Sequence, residues 1–370
     1  MRFDRKLLKN LDWQLWLAMI LISVFGVVVL RSASLGAMPH NPSYYAKRQI
    51  LWILLGNAFI VASLYFDYRL LLKLVKPIYA MNLALLVAVL LFGQKGGGAQ
   101  RWISLGGFLL QPSEFAKVFT IVAFAHYLET RGKIESWSDL VKAGIVVGIP
   151  MALILVQPDL GTALIFAAFF LGMLYAAGTD LRYLAGLVGL GVLAIPFMWT
   201  FVLEEYQKMR LIVFLNPENP MYRTHGGYHV TQSLIAVGSG QLVGRGFMQG
   251  TQNIRSFLPA QHTDFIFSVL AEEFGFVGAV LLIGLFVFMM QRMLKIALDA
   301  KDEFGRIATI GVLVLTLFQV FINIGMTISI APVTGIPLPL VTSGGSAYLS
   351  YCMAIALVLN IGMRRQKILF

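Results

Sequence analysis

Four ionisable residues sit inside or at the edge of stretches apolar enough to be membrane spans, where charge is expensive and so marks a candidate functional site. Glu114 and Lys117 lie in Gln111-Pro112-Ser113-Glu114-Phe115-Ala116-Lys117. Their i,i+3 spacing places them within pairing distance on a helix, and Pro112 suits its first turn. Lys117 could meet an anionic ligand with Glu114 positioning it. The plainer reading has Glu114 complementing the helix N-terminus and Lys117 snorkelling outward. Asp159, in Gln157-Pro158-Asp159-Leu160-Gly161-Thr162, could cap the next helix. Asp264 opens an apolar run at His262-Thr263-Asp264-Phe265-Ile266-Phe267. As a helical residue it would share a face with Ser268, Ala271 and Gly275, a groove of small residues leading from the carboxylate. At 100° per residue Glu272 falls about 80° from it and Glu273 about 180°. Glu272 is thus the expected cavity partner; the alternative makes Asp264 an N-cap. A carboxyl among apolar groups has a raised pKa, which suits general-base work. Arg101, beside Trp102, could anchor at an interface or fork onto a phosphate. His262 reads as an interfacial polar residue, since no second ligand stands near it.

The elements that must hold these residues follow from composition. Of 370 residues, 58% are apolar and 13% charged, against about 45–50% and about 25% in soluble domains. With a mean hydropathy of +0.78, the solvent of most of the chain is lipid. The net charge of +11 does not indicate nucleic acid, because Lys and Arg lie between apolar stretches as in cytoplasmic loops. Cys352 is the single cysteine, so no intrachain disulfide forms, and it reads as a small buried hydrophobe.

Ten stretches approach the roughly 20 apolar residues of a spanning helix: 13–30, 49–66, 77–93, 112–128, 141–157, 159–178, 181–202, 264–291, 306–330 and 342–362. The expected fold is an all-α polytopic integral membrane protein in one domain, 1–370. Strands are not expected, since the runs lack barrel alternation. The first run follows Arg2, Arg5, Lys6 and Lys9 and reads as an uncleaved helix. With the N-terminus inside, the inner segments hold 18 basic residues. The outer ones hold five beyond those in the long segment 203–263, which scarcely counts. Both termini are therefore expected in the cytoplasm. The segment 203–263 lies outside, between helices 7 and 8, where Val230, Leu234, Ile235 and Val237 could form one apolar interfacial face. Pro332, Pro337, Pro339 and Gly344-Gly345-Ser346 break the chain at the outer mouth, a place for irregular backbone lining a cavity.

Together these motifs resemble the SEDS family (shape, elongation, division, sporulation) over nearly the whole chain. They are Gly98-Ala99-Gln100-Arg101-Trp102, the Glu114 and Asp159 stretches quoted above, and Phe257-Leu258-Pro259 leading into His262–Phe267. Ala271-Glu272-Glu273-Phe274-Gly275 and Pro332-Val333-Thr334-Gly335-Ile336-Pro337-Leu338-Pro339 complete the set. The Ala-Gln-Arg-Trp form is similar to elongation rather than division members. Departures are Thr342-Ser343-Gly344-Gly345-Ser346 in place of Ser-Tyr-Gly-Gly-Ser, Ala260 in place of Glu, and Gln241 and Arg245 in place of Gly and Lys.

The resemblance implies a peptidoglycan glycosyltransferase in the bacterial cytoplasmic membrane. It would polymerise lipid II at the outer face during elongation, with a class B penicillin-binding protein as transpeptidase partner alongside other elongation proteins. It places the essential aspartate at Asp264. Lys117, Glu114, Asp159, Arg101 and Glu272 would bind substrate, and a divalent cation such as Mg²⁺ or Mn²⁺ could assist at the diphosphate. The competing readings are a lipid II flippase or transporter, a division-type polymerase, and an assembly scaffold. Charges gathered at one face favour chemistry there over transport through the membrane depth.

Overall fold

Apolar runs without β-alternation become helices in lipid, because only intrahelical bonding satisfies their backbone. The computed structural model describes residues 9–38, 40–96, 99–106, 108–216, 227–255 and 257–365. Ten long helices occupy the ten expected positions: α1 (Trp13–Ala37), α2 (Tyr44–Leu64), α3 (Arg69–Phe92), α4 (Pro112–Arg131), α5 (Trp137–Val156), α6 (Leu160–Ala176), α7 (Leu181–Phe201), then α11 (Ile266–Leu298), α12 (Glu303–Thr327) and α13 (Gly345–Met363). Three short helices, α8 (Glu205–Leu215), α9 (Tyr228–Ser239) and α10 (Thr251–Ile254), belong to the long connection. Eight of the ten are long and apolar enough to cross a membrane. Of the other two, α6 has 17 residues and α4 carries the charged residues Glu114, Lys117 and Glu129. Arg2, Arg5 and Lys6, Gly98, Arg223 and Lys367 lie outside the described residues.

α12 and α13 form the centre. α13 packs on α2 and α4, α12 on α4, α6 and α11, and α1 on α2 and α11. Lipid tails are as apolar as these side chains, so close packing and interhelical hydrogen bonds hold the bundle. Ser23 meets the Tyr348 hydroxyl at 2.9 Å, Thr316 meets Tyr351 at 2.8 Å, and Asn82 donates to Thr120 at 3.2 Å. Cys352 is buried and free, as expected, against Gly56, where a Cβ would come within 2.5 Å of its sulfur. No residue of α7 is buried.

Three expectations need correction. Residues 94–110 contain an antiparallel meander of β1 (Gln94–Gly96), β2 (Ala99–Leu105) and β3 (Phe108–Leu110), so the fold is not purely helical. Its strands are short, and β2 ends just before Gly106 with φ 56°, which hides them from a test for barrel alternation. The buried face of α9 is Val230, Ser233 and Ala236, whereas Leu234 and Ile235 are exposed. Ser233 sets that face: its hydroxyl meets Ser268 and the Thr327 carbonyl, each at 2.7 Å.

The third concerns α11. Gly275 has φ 63° and ψ −161°, which interrupts the helix. Residues 241–246 fill the interruption. The amides of Phe276 and Val277 donate to the carbonyls of Gln241 (2.9 Å) and Leu242 (3.1 Å). The amides of Arg245 and Gly246 donate to Glu272 (3.0 Å) and Glu273 (3.1 Å). The expected small-residue groove along Ser268, Ala271 and Gly275 is thus occupied by Ser233 and residues 240–246. A Cβ on Gly240 would lie 1.9 Å from the Ala271 carbonyl oxygen, one on Gly244 would lie 2.1 Å from that of Glu273, and one on Gly275 would lie 2.3 Å from the Gly244 nitrogen. Gly244→Ala and Gly275→Ala each combine positive φ with a backbone clash, so each is expected to destabilise the protein by roughly 2 kcal/mol or more. Gly189→Ala, on open α7, is the control and should lie within about 1 kcal/mol of wild type. Thermal unfolding in detergent reads both.

Candidate active site

Asp264 sits just before α11, whose N-cap is Phe265, so the N-cap reading of Asp264 fails and its carboxyl is free for other work. Two elements hold this stretch in place. The carbonyl of Ala260 accepts the Thr263 and Phe265 amides at 3.0 and 3.3 Å. The amide and hydroxyl of Ser343 donate to the His262 carbonyl at 3.1 and 2.8 Å. The His262 ring stacks on Tyr45 at 4.1 Å, so it serves packing rather than ligation.

The Asp264 residue is half-buried. Burial pushes its carboxyl above the ordinary 3.8; Arg210, Thr263 and Arg101 pull it back, and Asp159 pushes it up. These neighbours come from separate elements. β2 supplies Arg101, which donates to the carbonyls of Gln157 (3.1 Å) and Pro158 and to the Tyr206 hydroxyl (3.2 Å). Its Nη1 stands 3.8 Å from Asp159. Asp159 is also the cap of α6, accepting from the Thr162 amide (3.2 Å) and hydroxyl (2.9 Å). Asp159 thus caps α6 and pairs with Arg101 at once.

Arg210, on α8, lies over the Tyr206 ring at 5.5 Å and donates to the Val333 carbonyl at 3.4 Å. A Cβ on Gly335 would stand 3.6 Å from Asp264 Oδ2 and 3.8 Å from Arg210 Nη1. Arg101, Tyr206, Arg210 and residues 332–334 line a cavity of about 50 Å³. Sequence reasoning missed Arg210, because the basic residues of the long segment were weighed only for topology. The signal available was Tyr206 at i−4, the spacing that stacks a guanidinium on a ring.

Glu114 and Lys117 form a separate site. Both are buried, and Lys117 donates to Glu114 at 2.8 Å; Lys117 does not snorkel. Ser350 donates to the same oxygen at 3.4 Å. Their cavity, about 20 Å³, is lined also by Gln319, Thr342, Tyr351 and residues 337–340. The segment 332–342 therefore borders both sites, with Gly335 on the Asp264 side and Pro337–Leu340 on the Lys117 side.

Glu272 is not a partner of Asp264. It is fully buried and accepts from Thr251 Oγ1 and the Gln252 amide, each at 3.1 Å. The helical-wheel estimate assumed that Asp264 was itself helical. Glu273 is buried too, accepting from Ser32 and from Asn253. Glu272 fastens residues 251–252 to α11, and Glu273 fastens Asn253 and Ser32 of α1. Among the described residues no group of three or more His, Cys, Asp and Glu could hold a metal.

Fold and site together define a polytopic membrane protein with a half-buried carboxyl in the field of two guanidinium groups. The FtsW/RodA/SpoVE family model, described as "Cell cycle protein", matches residues 12–367, and the chain belongs to that family. It is 33% identical to "Peptidoglycan glycosyltransferase RodA" of Treponema pallidum, over 96% of this chain and 98% of that one. It is 37% identical to "Probable peptidoglycan glycosyltransferase FtsW" of Trichlorobacter lovleyi, over 96% and 93%. A solved structure described as "Structural coordination of polymerization and crosslinking by a peptidoglycan synthase complex" contains a chain of TM-score 0.80 and 30% identity, covering 95% of this chain and 97% of that one.

Breaking a buried ion pair costs about 3–5 kcal/mol, because it strands a charge. Lys117→Ala is accordingly expected to lower stability and glycan synthesis strongly, whereas Lys73→Ala, on an exposed position of α3, leaves both near wild type. The double change Glu114→Gln/Lys117→Met, which strands no charge, should recover stability but not synthesis. Thermal unfolding and polymer yield measured side by side check this; normal synthesis by the double variant would remove Lys117 from substrate handling.

Proposed function

We propose that this peptidoglycan glycosyltransferase polymerises lipid II at the outer face of the bacterial cytoplasmic membrane, in cell elongation, with Asp264 as general base. The observation that carries the reading is the half-buried Asp264 carboxyl, with Arg210 across Gly335 from it and Arg101 within electrostatic reach. Glycosyl transfer from a lipid diphosphate needs those two functions. A sugar hydroxyl attacks the anomeric carbon of the donor, the bond from that carbon to the diphosphate oxygen breaks, and the hydroxyl proton passes to Asp264. The diphosphate leaves with the bonding electrons, and guanidinium groups stabilise the charge that develops on it. Arg210 stacks on Tyr206 beside the cavity and suits that task. Arg101, engaged with two carbonyls and Tyr206, adds field and holds the start of α6. A magnesium site of this type uses one or two carboxylates plus substrate phosphates; Asp159, which caps α6 beside Arg101, is the carboxylate that would contribute, which leaves Asp264 to take the proton. The names of the relatives support the activity, and they include both RodA and FtsW. The elongation role rests on the Ala99-Gln100-Arg101-Trp102 motif.

Asp264→Asn removes the base and a partly desolvated charge together. Polymerisation by the purified variant is expected to fall about 10²–10⁴-fold, while its unfolding temperature stays level or rises. In wild type the base must be ionised, so activity persists at high pH and is lost as pH falls through a midpoint above the ordinary 3.8. Near-normal synthesis by folded Asp264→Asn sinks the assignment.

The crosslinking partner is expected to be a single-span class B penicillin-binding protein lying on α11 and α12. Phe276, Val277 and Leu281 on α11, and Leu317 and Phe321 on α12, are apolar and uncovered. A partner that prefers one arrangement of the outer segment shifts the population toward it. Polymerisation at saturating lipid II should therefore rise when the partner is added. Equal rates in a confirmed complex argue against activation. Cysteine crosslinks confined to α1–α3, in a protein lacking Cys352, refute the placement.

A further inference from the structure

Asn323 lies on α12, fully buried, and its single amide group spans two chain segments. Nδ2 donates to the backbone carbonyl of Asp264 at 3.0 Å and to that of Ile336 at 2.8 Å. A carboxamide has two N–H donors, and both are used. One neighbour, Asp264, carries the carboxyl of the active site. The other follows Gly335, whose missing Cβ leaves room beside both Asp264 Oδ2 and Arg210 Nη1. The amide therefore fixes the spacing between the residue bearing the base and the segment that abuts the base and its guanidinium.

Neither carbonyl belongs to a regular helix, since Asp264 precedes α11 and Ile336 lies in the proline-rich stretch between α12 and α13. Each needs a donor from elsewhere at this depth. Leucine has the right volume but no donor, and an ionised aspartate at 323 would turn two acceptors on each other. Glutamine keeps the donors on a longer arm.

We infer that Asn323 is a positioning residue for glycosyl transfer: it acts through Asp264, setting where the carboxyl stands relative to Arg210, and touches no reacting atom. The inference rests on the reading of Asp264 as the base. A displacement of about 1 Å at a reacting group costs on the order of 10²-fold. The cost falls on the chemical step rather than on substrate capture, since Asn323 is not exposed to substrate.

The test uses the full chain in complex with its transpeptidase partner and measures kcat, KM for lipid II and the pH profile, each per folded molecule. Asn323→Leu is expected to lower kcat by about 10–100-fold, with KM within about twofold of wild type and the acid limb of the profile displaced. Asn323→Gln should recover at least a third of the lost kcat on a logarithmic scale. An unchanged kcat, an unshifted acid limb, or a loss of activity that only tracks the folded fraction overturns the inference. So does failure of Asn323→Leu, Asn323→Asp and Asn323→Gln alike to fold, because the amide is then a general support of the bundle. Asp264→Asn, run in parallel, separates the two levels. If it is active, the base assignment fails; if it is inactive while Asn323→Leu turns over normally, only the clamp fails.

Discussion

A membrane protein has no water with which to satisfy a broken helix, and this one breaks at Gly275, within the helix α11 that Asp264 precedes. How that break is closed sets where residues 240–246 pack. Residues 241–246 accept from Phe276 and Val277 and donate to Glu272 and Glu273, so the backbone groups released by Gly275 are paired by a loop rather than by lipid. The same contacts dock α9 and α10 beside α11, where Ser233, Thr251, Gln252 and Asn253 find their partners. The active-site stretch runs directly from this docked segment into α11. Its geometry is inherited from the loop as much as from the helix.

Two centres of charge result, with different tasks. Around Asp264 the groups come from β2, α8 and the start of α6, and the positive ones stay close to a cavity. Around Glu114 the charges neutralise each other inside the bundle. Residues 332–342 border both. A change in that stretch would reach both centres, which ties the buried pair to the site without contact between them.

Hydropathy made the ten helices legible, because a long apolar run in lipid has one solution. Asp264 and Asp159 were legible as charges at the edges of apolar runs, and Arg101 as a guanidinium beside Trp102; the fold pairs Arg101 with Asp159 and sets both within electrostatic reach of Asp264. Glu272 was misplaced because a helical wheel presumes an unbroken helix that includes Asp264, and the helix starts at Ile266. Arg210 was hidden because its partners, Val333 and Asp264, are more than fifty residues distant in sequence. The meander at 94–110 was hidden by its brevity. Leu234 and Ile235 misled because apolarity in a membrane protein marks lipid as readily as core.

The closed pair of Lys117 and Glu114 has an electrical consequence. At 2.8 Å the two side chains form a dipole with no net charge, held beside Ser350 in the interior. Moving one elementary charge across a membrane is worth about 2.3 kcal/mol per 100 mV, but shifting a neutral pair along the membrane normal draws almost nothing from the potential. The pair therefore adds no voltage-sensing charge of its own to the middle of the bundle.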